Sequence, residues 1–302
     1  MPSFKWFASF VLAATIVTAL HAEPHCPGNV ASVPLHLTNG HQMIVAVSVN
    51  HSGPYNFLLD TGTQLTMVDP SLASELHLNT QGSAAVTGVG FNSAASFTQL
   101  DLLEAGSHAV ANQKVLVFNF QNPHSVDLHF RGVLGEDFLS QFDVLIDNAH
   151  NLLCLDDSAA MRADVKGPHV ALLPAAERTS DSSSLRPLII SARLSDAEQP
   201  VRLKLDSGTN VAFLFETSKY VAPGSTRSVG GGLNGAQRSY LTLPPQDLKI
   251  GSVKFPKVSF STPSANSQKD SRRSAYDGLL TLGLFRRVLI CHADHFAVFE
   301  PW

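Results

Sequence analysis

Charge is scarce in this 302-residue chain: Asp, Glu, Lys and Arg make up 15% of it, and the net charge is -4. There is no block of like charges and no Lys/Arg stripe, so the chain lacks the electrostatic footprint of a nucleic-acid-binding protein. Cysteine is scarcer still. Cys26, Cys154 and Cys291 are too few and too scattered for a disulfide-rich scaffold or a zinc cluster. At most one bridge can form. Cys26 meets Cys154 if an N-terminal strand returns to the end of the first half, and a plain buried thiol is the equal alternative. Long apolar runs are missing beyond the N-terminus, and the one found there is short of the ~20 residues of a membrane span. The thirteen histidines form no HExxH, and there is no Gly-x-Ser-x-Gly elbow and no P-loop. The chain thus lacks the motifs of zincins, α/β-hydrolases and P-loop NTPases.

What the chain does contain is apolar residue in quantity, 44%, enough to bury one large core or two modest ones. Residues 1–22 carry Lys5, then apolar and small residues over 6–20, then Ala22 before Glu23. That is the pattern of a secretory signal peptide, with an uncleaved anchor as the alternative. Export to a periplasmic or extracellular space is therefore expected, with no stable membrane insertion after the signal is removed. Downstream, short β-branched or alternating runs at 43–49, 55–59, 114–118, 201–205 and 257–260 are punctuated by Gly, Pro and Asn. Helical periodicity is confined to 70–78 and to the stretch around 137–142. The class is mainly β.

Laid on itself, the sequence repeats. YNFLLDTGT at 55–63 matches VRLKLDSGT at 201–209, an offset of 146. In the same order, 88–92 resembles 230–234, Gly106-Ser107 resembles Gly251-Ser252, 114–118 resembles 257–260, and Gly132-Val133-Leu134 answers Gly278-Leu279-Leu280. Ordered matches of this kind indicate duplication of one β unit. The polar, turn-rich stretch 156–186 separates the copies, so we divide the chain into a signal peptide (1–22), an N-terminal lobe (23–164) and a C-terminal lobe (165–302).

Each copy carries one Asp-[Thr/Ser]-Gly directly after an apolar strand: Asp60-Thr61-Gly62-Thr63 and Asp206-Ser207-Gly208-Thr209. A pseudo-two-fold axis brings equivalent residues face to face. Two carboxylates in a partly dry cleft cannot both ionise, so they share a proton and titrate as a pair. Gly62 and Gly208 permit tight turns. Thr61 and Ser207 can hydrogen-bond across the axis, while Thr63 and Thr209 can donate to the carboxylates and hold the lower of the two titrations down.

These triplets, each followed by a glycine and an apolar pair, resemble the pepsin/retropepsin superfamily of aspartic proteases. Gly132-Val133-Leu134-Gly135-Glu136-Asp137-Phe138-Leu139 is especially similar to the retropepsin pattern. The resemblance covers nearly all of the mature chain. It implies an all-β, bilobal acid-protease fold of two retropepsin-like barrel lobes flanking a cleft. It also implies aspartic-type endopeptidase activity, with Asp60 and Asp206 activating a water against an extended peptide or protein substrate. No cofactor or metal is expected, and a monomer is. The flap candidate is Gly88, Val89, Gly90 and Phe91, with Phe91 as the apolar cover where pepsin-like enzymes carry a tyrosine. Thr281 stands where the family has a second glycine equivalent to Gly135, so a catalytically silent peptide-binding protein of the same fold is the alternative. A purely structural β protein is a third reading, which requires the two carboxylates to lie beyond about 6 Å, out of reach of a shared proton.

Two other features read as structure. Gly230-x-Gly232-x-x-Gly235 matches a dinucleotide fingerprint, but no helix pattern follows, so a β-hairpin is expected. Cys291-His292-Ala293-Asp294-His295 clusters ligand-type residues, but its repeat partner at 145–149 falls in a turn between strands, so a polar hairpin turn is expected. Asp69, Asp137, Asp143 and Asp147 read as caps or solvent-facing strand residues.

Overall fold

The computed structural model describes residues 25–38, 42–89, 91–120, 130–156, 159–174, 185–195, 199–215, 223–264 and 275–302. Residues 1–22, read from sequence as a signal peptide, Gly90 of the flap candidate and the polar run 175–184 lie outside them. The fold is all-β and bilobal: among the described residues, strands assemble into one sheet of thirteen and one of nine, with three short α-helices. Two of these helices fall where the sequence predicts, at Pro70–Glu75, capped by the Asp69 carboxylate on the Leu72 N–H, and at Glu136–Leu139. The third, Ala159–Asp164, was not anticipated, because its stretch reads as linker.

Local chemistry shapes the approach to Asp60. The alternating run Met43–Val49 pairs antiparallel with Ser52–Leu59 through Asn50 and His51, both at positive φ (49° and 63°), a two-residue hairpin of the primed kind. The Asn50 side-chain carbonyl accepts the N–H groups of Asp101 and Leu102, which ties this turn to the long strand Phe91–Ala105. Gly106 and Gly251, matched by the repeat, both turn the chain at positive φ (60° and 57°).

The core of each lobe repeats one crossing. Ser52–Leu59 runs parallel to Gly132–Leu134, with Leu58 opposite Val133, and Met67–Val68 crosses antiparallel with Met67 opposite Val133. In the second lobe Val201–Asp206 runs parallel to Gly278–Thr281, with Lys204 opposite Leu279, and Ala212–Leu214 crosses with Phe213 opposite Leu279. The glycine opening each apolar pair has a steric cause. A Cβ on Gly132 would collide with the Phe57 ring and the Met67 carbonyl, and one on Gly278 with the Phe213 carbonyl. In the first lobe the pairing of Met43–Val49 with Phe91–Ala105 joins the ends of a run of six strands into a closed ring; among the described residues no pairing closes the second sheet.

Beneath both crossings lies a platform built from both halves. Asp143–Asp147 pairs antiparallel with Arg287–Cys291, with Leu145 opposite Leu289, so the pseudo-axis passes through this pair. Phe296–Glu300 and Leu152–Asp156 flank them, and Val170–Ala171 and Ser32–Leu37 complete the six strands. The central leucines are fully buried, each contributing roughly 1.5–3 kcal/mol by removal of apolar surface from water. Cys26 and Cys154 form a disulfide with Cα atoms 5.7 Å apart, and Cys291 is a free buried thiol. Asp143 and Asp147, read from sequence as caps or solvent-facing, are buried instead. Asp143 pairs with Arg162 and accepts the His292 N–H, and Asp147 binds His150, because the platform strands are covered on both faces. Residues 292–295 form the hairpin turn expected there.

Candidate active site

Asp60 ends Ser52–Leu59 and donates its N–H to the Leu134 carbonyl (3.0 Å), so the parallel strand pair aims it at the gap between the lobes. Asp206 ends the equivalent strand. Four hydrogen bonds then knit the two triplets. The Thr61 N–H donates to Ser207 Oγ (3.0 Å), and the Ser207 N–H donates to Thr61 Oγ1 (3.1 Å). The hydroxyls pass the exchange on, Thr61 to the Leu205 carbonyl (3.3 Å) and Ser207 to the Leu59 carbonyl (2.8 Å). Both residues are about 1% exposed, so each hydroxyl is fully used in a dry setting.

This reciprocity lays the carboxylates against each other's loops. A Cβ on Gly62 would collide with the Asp206 carboxylate, and a Cβ on Gly208 with that of Asp60. Only glycine leaves room for the pair. Asp60 is 8% exposed and Asp206 partly exposed. Burial, then the negative charge of Asp206, holds Asp60 well above the ordinary carboxylate range, against the opposing pull of Lys204 and the N–H groups of Gly62 and Thr63. Burial raises Asp206 too, against Lys204 and the N–H groups of Thr209 and Gly208. One proton shared by the pair follows from these directions.

The donors to the carboxylates are not the threonine hydroxyls that the sequence suggests. The Gly62 N–H donates to Asp60 Oδ1 (2.7 Å) and the Thr209 N–H to Asp206 Oδ1 (3.1 Å), while the Thr209 hydroxyl donates to the Val211 carbonyl. A tight turn after an aspartate points its amides inward, which makes backbone the natural donor.

The loops are supported differently. In the first lobe Thr66 donates both its hydroxyl (2.6 Å) and its N–H (2.9 Å) to Asp137 Oδ1, and its hydroxyl accepts the Gly135 N–H (3.1 Å). Burial raises Asp137 to about 6, so this residue, read from sequence as a cap or solvent-facing, is a largely enclosed brace. In the second lobe the Thr281 hydroxyl donates to the Thr209 carbonyl (2.6 Å). The departure from glycine at Thr281 therefore introduces a hydrogen bond to the loop rather than a steric defect.

Two hairpins, one from each lobe, meet each other. Gln81–Gly88 and Phe91–Ala105 carry the flap candidate: the Phe91 ring packs under Gly88 and 6.3 Å from Phe118, while Val89 reaches a second-lobe cluster that includes Phe215 and Tyr276. The glycine-rich stretch forms Thr226–Gly231 and Gln237–Thr242, a β-hairpin, with Gly232 against Phe91 and Asn234 Nδ2 donating to Ser93 Oγ (3.1 Å). Sequence reasoning passed over Lys204, whose ammonium donates to the Gly62 carbonyl. The signal was present, since alternation in VRLKLD puts Lys204 on the face of Asp206. Among the described residues no His, Cys, Asp and Glu cluster could hold a metal ion.

No curated protein sequence matches the chain. The aspartyl protease family model matches residues 45–138, from the strand before the first hairpin through the Asp60 triplet and Gly132-Val133-Leu134 to Phe138. Over that segment the chain is similar to aspartyl proteases of the retropepsin and pepsin kind.

Proposed function

We propose that this protein is an aspartic-type endopeptidase whose Asp60/Asp206 dyad activates a water to hydrolyse a peptide bond. The observation that carries the reading is the reciprocal fit of each carboxylate against the opposite loop's glycine. The ionised carboxylate takes a proton from water as its oxygen attacks the scissile carbonyl carbon. The protonated one donates to the carbonyl oxygen, and a tetrahedral diol forms. Return of a proton to the amide nitrogen breaks the C–N bond, leaving a free amine and a carboxylic acid. The two hairpins, one from each lobe and in contact through Asn234 and Ser93, suit an extended peptide gripped from both sides.

The silent, peptide-binding alternative drew on Thr281, and the bond from its hydroxyl to the Thr209 carbonyl favours an intact loop. Asp60→Asn and Asp206→Asn are each expected to reduce cleavage of a denatured protein mixture by roughly 10²–10⁴-fold, the range for loss of a general acid or base. Cleavage at the wild-type rate in both variants would sink the assignment. Export as a monomer, directed by residues 1–22 and followed by lobes over 23–164 and 165–302, belongs to the same proposal. The Cys26–Cys154 bridge supports it, since such bridges persist in oxidising compartments.

A further inference from the structure

Lys204 is the feature that the duplicated pattern does not account for. Its counterpart in the repeat, Leu58, is fully buried in an apolar cluster with Ile44, Met67 and Val133. At the same register the second lobe has an amine on the cleft face of Val201–Asp206, two residues before the dyad aspartate. A lysine replaces a core leucine at a cost in burial, so its position calls for a compensating partner. Its partner lies in the other lobe, where the ammonium donates to the carbonyl of Gly62, the residue whose Cα faces the Asp206 carboxylate. The ammonium also stands 5.6 Å from the centre of the Tyr276 ring.

We propose that Lys204 is a positioning residue of the dyad, pinning the first lobe's Asp60 loop from the second lobe through the Gly62 carbonyl and setting a positive charge against the carboxylate pair. The inference deepens the protease reading above and rests on it for its catalytic meaning. The titratable groups around it are Asp60 at the end of Ser52–Leu59, Asp206 on its own strand, and the Tyr276 phenol ahead of Gly278–Thr281. Arg202 lies on the same strand face, and Asp277 accepts the Arg202 backbone N–H (2.7 Å). The flanking strands present Ile189 and Leu279 at this register, so neither brings a charge. The ammonium favours ionisation of both aspartates, opposing the effect of their burial. A pair sharing one proton carries a single negative charge, which Lys204 balances. The singly protonated state that water activation requires is thereby moved to lower pH.

The test reads the pair directly in the full chain, by carbon-13 NMR of labelled aspartate carboxyls, with Asp60→Asn and Asp206→Asn providing the assignments. Lys204→Gln keeps an N–H donor for Gly62 while removing the charge, and Lys204→Met removes both. In each, both macroscopic titrations are expected to move upward by about one to three pH units, the scale of an opposite charge at close range. Lys204→Arg should return them toward the wild-type positions. Where one neutral variant fails to fold, the other decides. Titrations of a folded neutral variant that overlay the wild type would overturn the proposal, as would an Arg variant that titrates like the neutral ones. A parallel cleavage assay separates the two readings: a wild-type chain that cleaves nothing defeats the endopeptidase assignment, while the titration still decides the role of Lys204.

Discussion

The two lobes hold equivalent aspartates at the ends of equivalent strands, yet they support them by different means. The first lobe uses a buried carboxylate: Asp137 accepts from Thr66, and Thr66 accepts from Gly135. The second has Gly283 where Asp137 would stand and holds its loop with the Thr281 hydroxyl on the Thr209 carbonyl. The residue two before the aspartate differs as well, a core leucine in one lobe and a cleft-facing lysine in the other. After duplication, the parts that must touch across the axis are held tightly to one geometry, and the parts behind them are free to diverge. Thr61 and Ser207 differ by a methyl group, but both supply the hydroxyl that the exchange requires.

The comparison can be broken most directly at its symmetric point. Gly62→Ala and Gly208→Ala each drive a methyl group into the opposite carboxylate, and each is expected to lower kcat/KM by about 10²-fold or more, the effect of displacing a reacting group by an ångström. Similar losses in both variants are the signature of a reciprocal pair; a large loss in one and none in the other would show that a single lobe dominates.

Behind the loops the effects should be unequal. Thr66→Val removes a hydroxyl that both donates and accepts and leaves Asp137 short of a donor, so urea unfolding should show a loss of about 1–3 kcal/mol. Thr281→Val removes one hydrogen bond and should cost about 1 kcal/mol. Equal costs would mean that the two supports are energetically interchangeable.

The supports behind the loops also differ in pH dependence, since only the first lobe places a titratable group at this position, Asp137 against Gly283. Asp137 is raised from 3.8 to about 6 by burial, so the folded chain binds its proton more tightly than the unfolded chain does. Its contribution to stability is fully present below 3.8 and is lost as pH rises through about 6. Asp137→Asn should therefore flatten the stability curve across that interval in thermal melts run at successive pH values. Gly283→Ala, at the matching place, should leave the slope as it was.

Much of this architecture was legible in the residues. The offset of 146 that aligns the two triplets is the same offset that separates Thr61 from Ser207 in their hydrogen-bond exchange. Gly132 and Gly278 were readable as motif positions, and the structure shows that crossing strands leave them no Cβ space. Other features were not legible, because they depend on which atoms of a residue face inward. Thr63 and Thr209 offered hydroxyls on paper, but the turn supplies amides first. Asp143 and Asp147 looked like surface residues because the platform strand that carries them is buried on two faces, which alternation within one strand cannot reveal, and Asp137 because its enclosure comes from Thr66, distant in sequence. The cysteine pairing was open until Ser32–Leu37 was seen to lie beside Leu152–Asp156, with Ser32 opposite Cys154.

By itself, then, the sequence determined that the chain is a duplicated β unit with one Asp-[Thr/Ser]-Gly per copy, because strand periodicity, turn residues and repeat spacing are local and additive along the chain. Tertiary structure decided how the copies meet. It set the carboxylates against opposite glycines, chose amides over hydroxyls as their donors, closed the Cys26–Cys154 bridge and swung Lys204 across to Gly62. Those outcomes turn on desolvation and contact between residues far apart in the chain, and neither quantity exists until the two lobes are packed together.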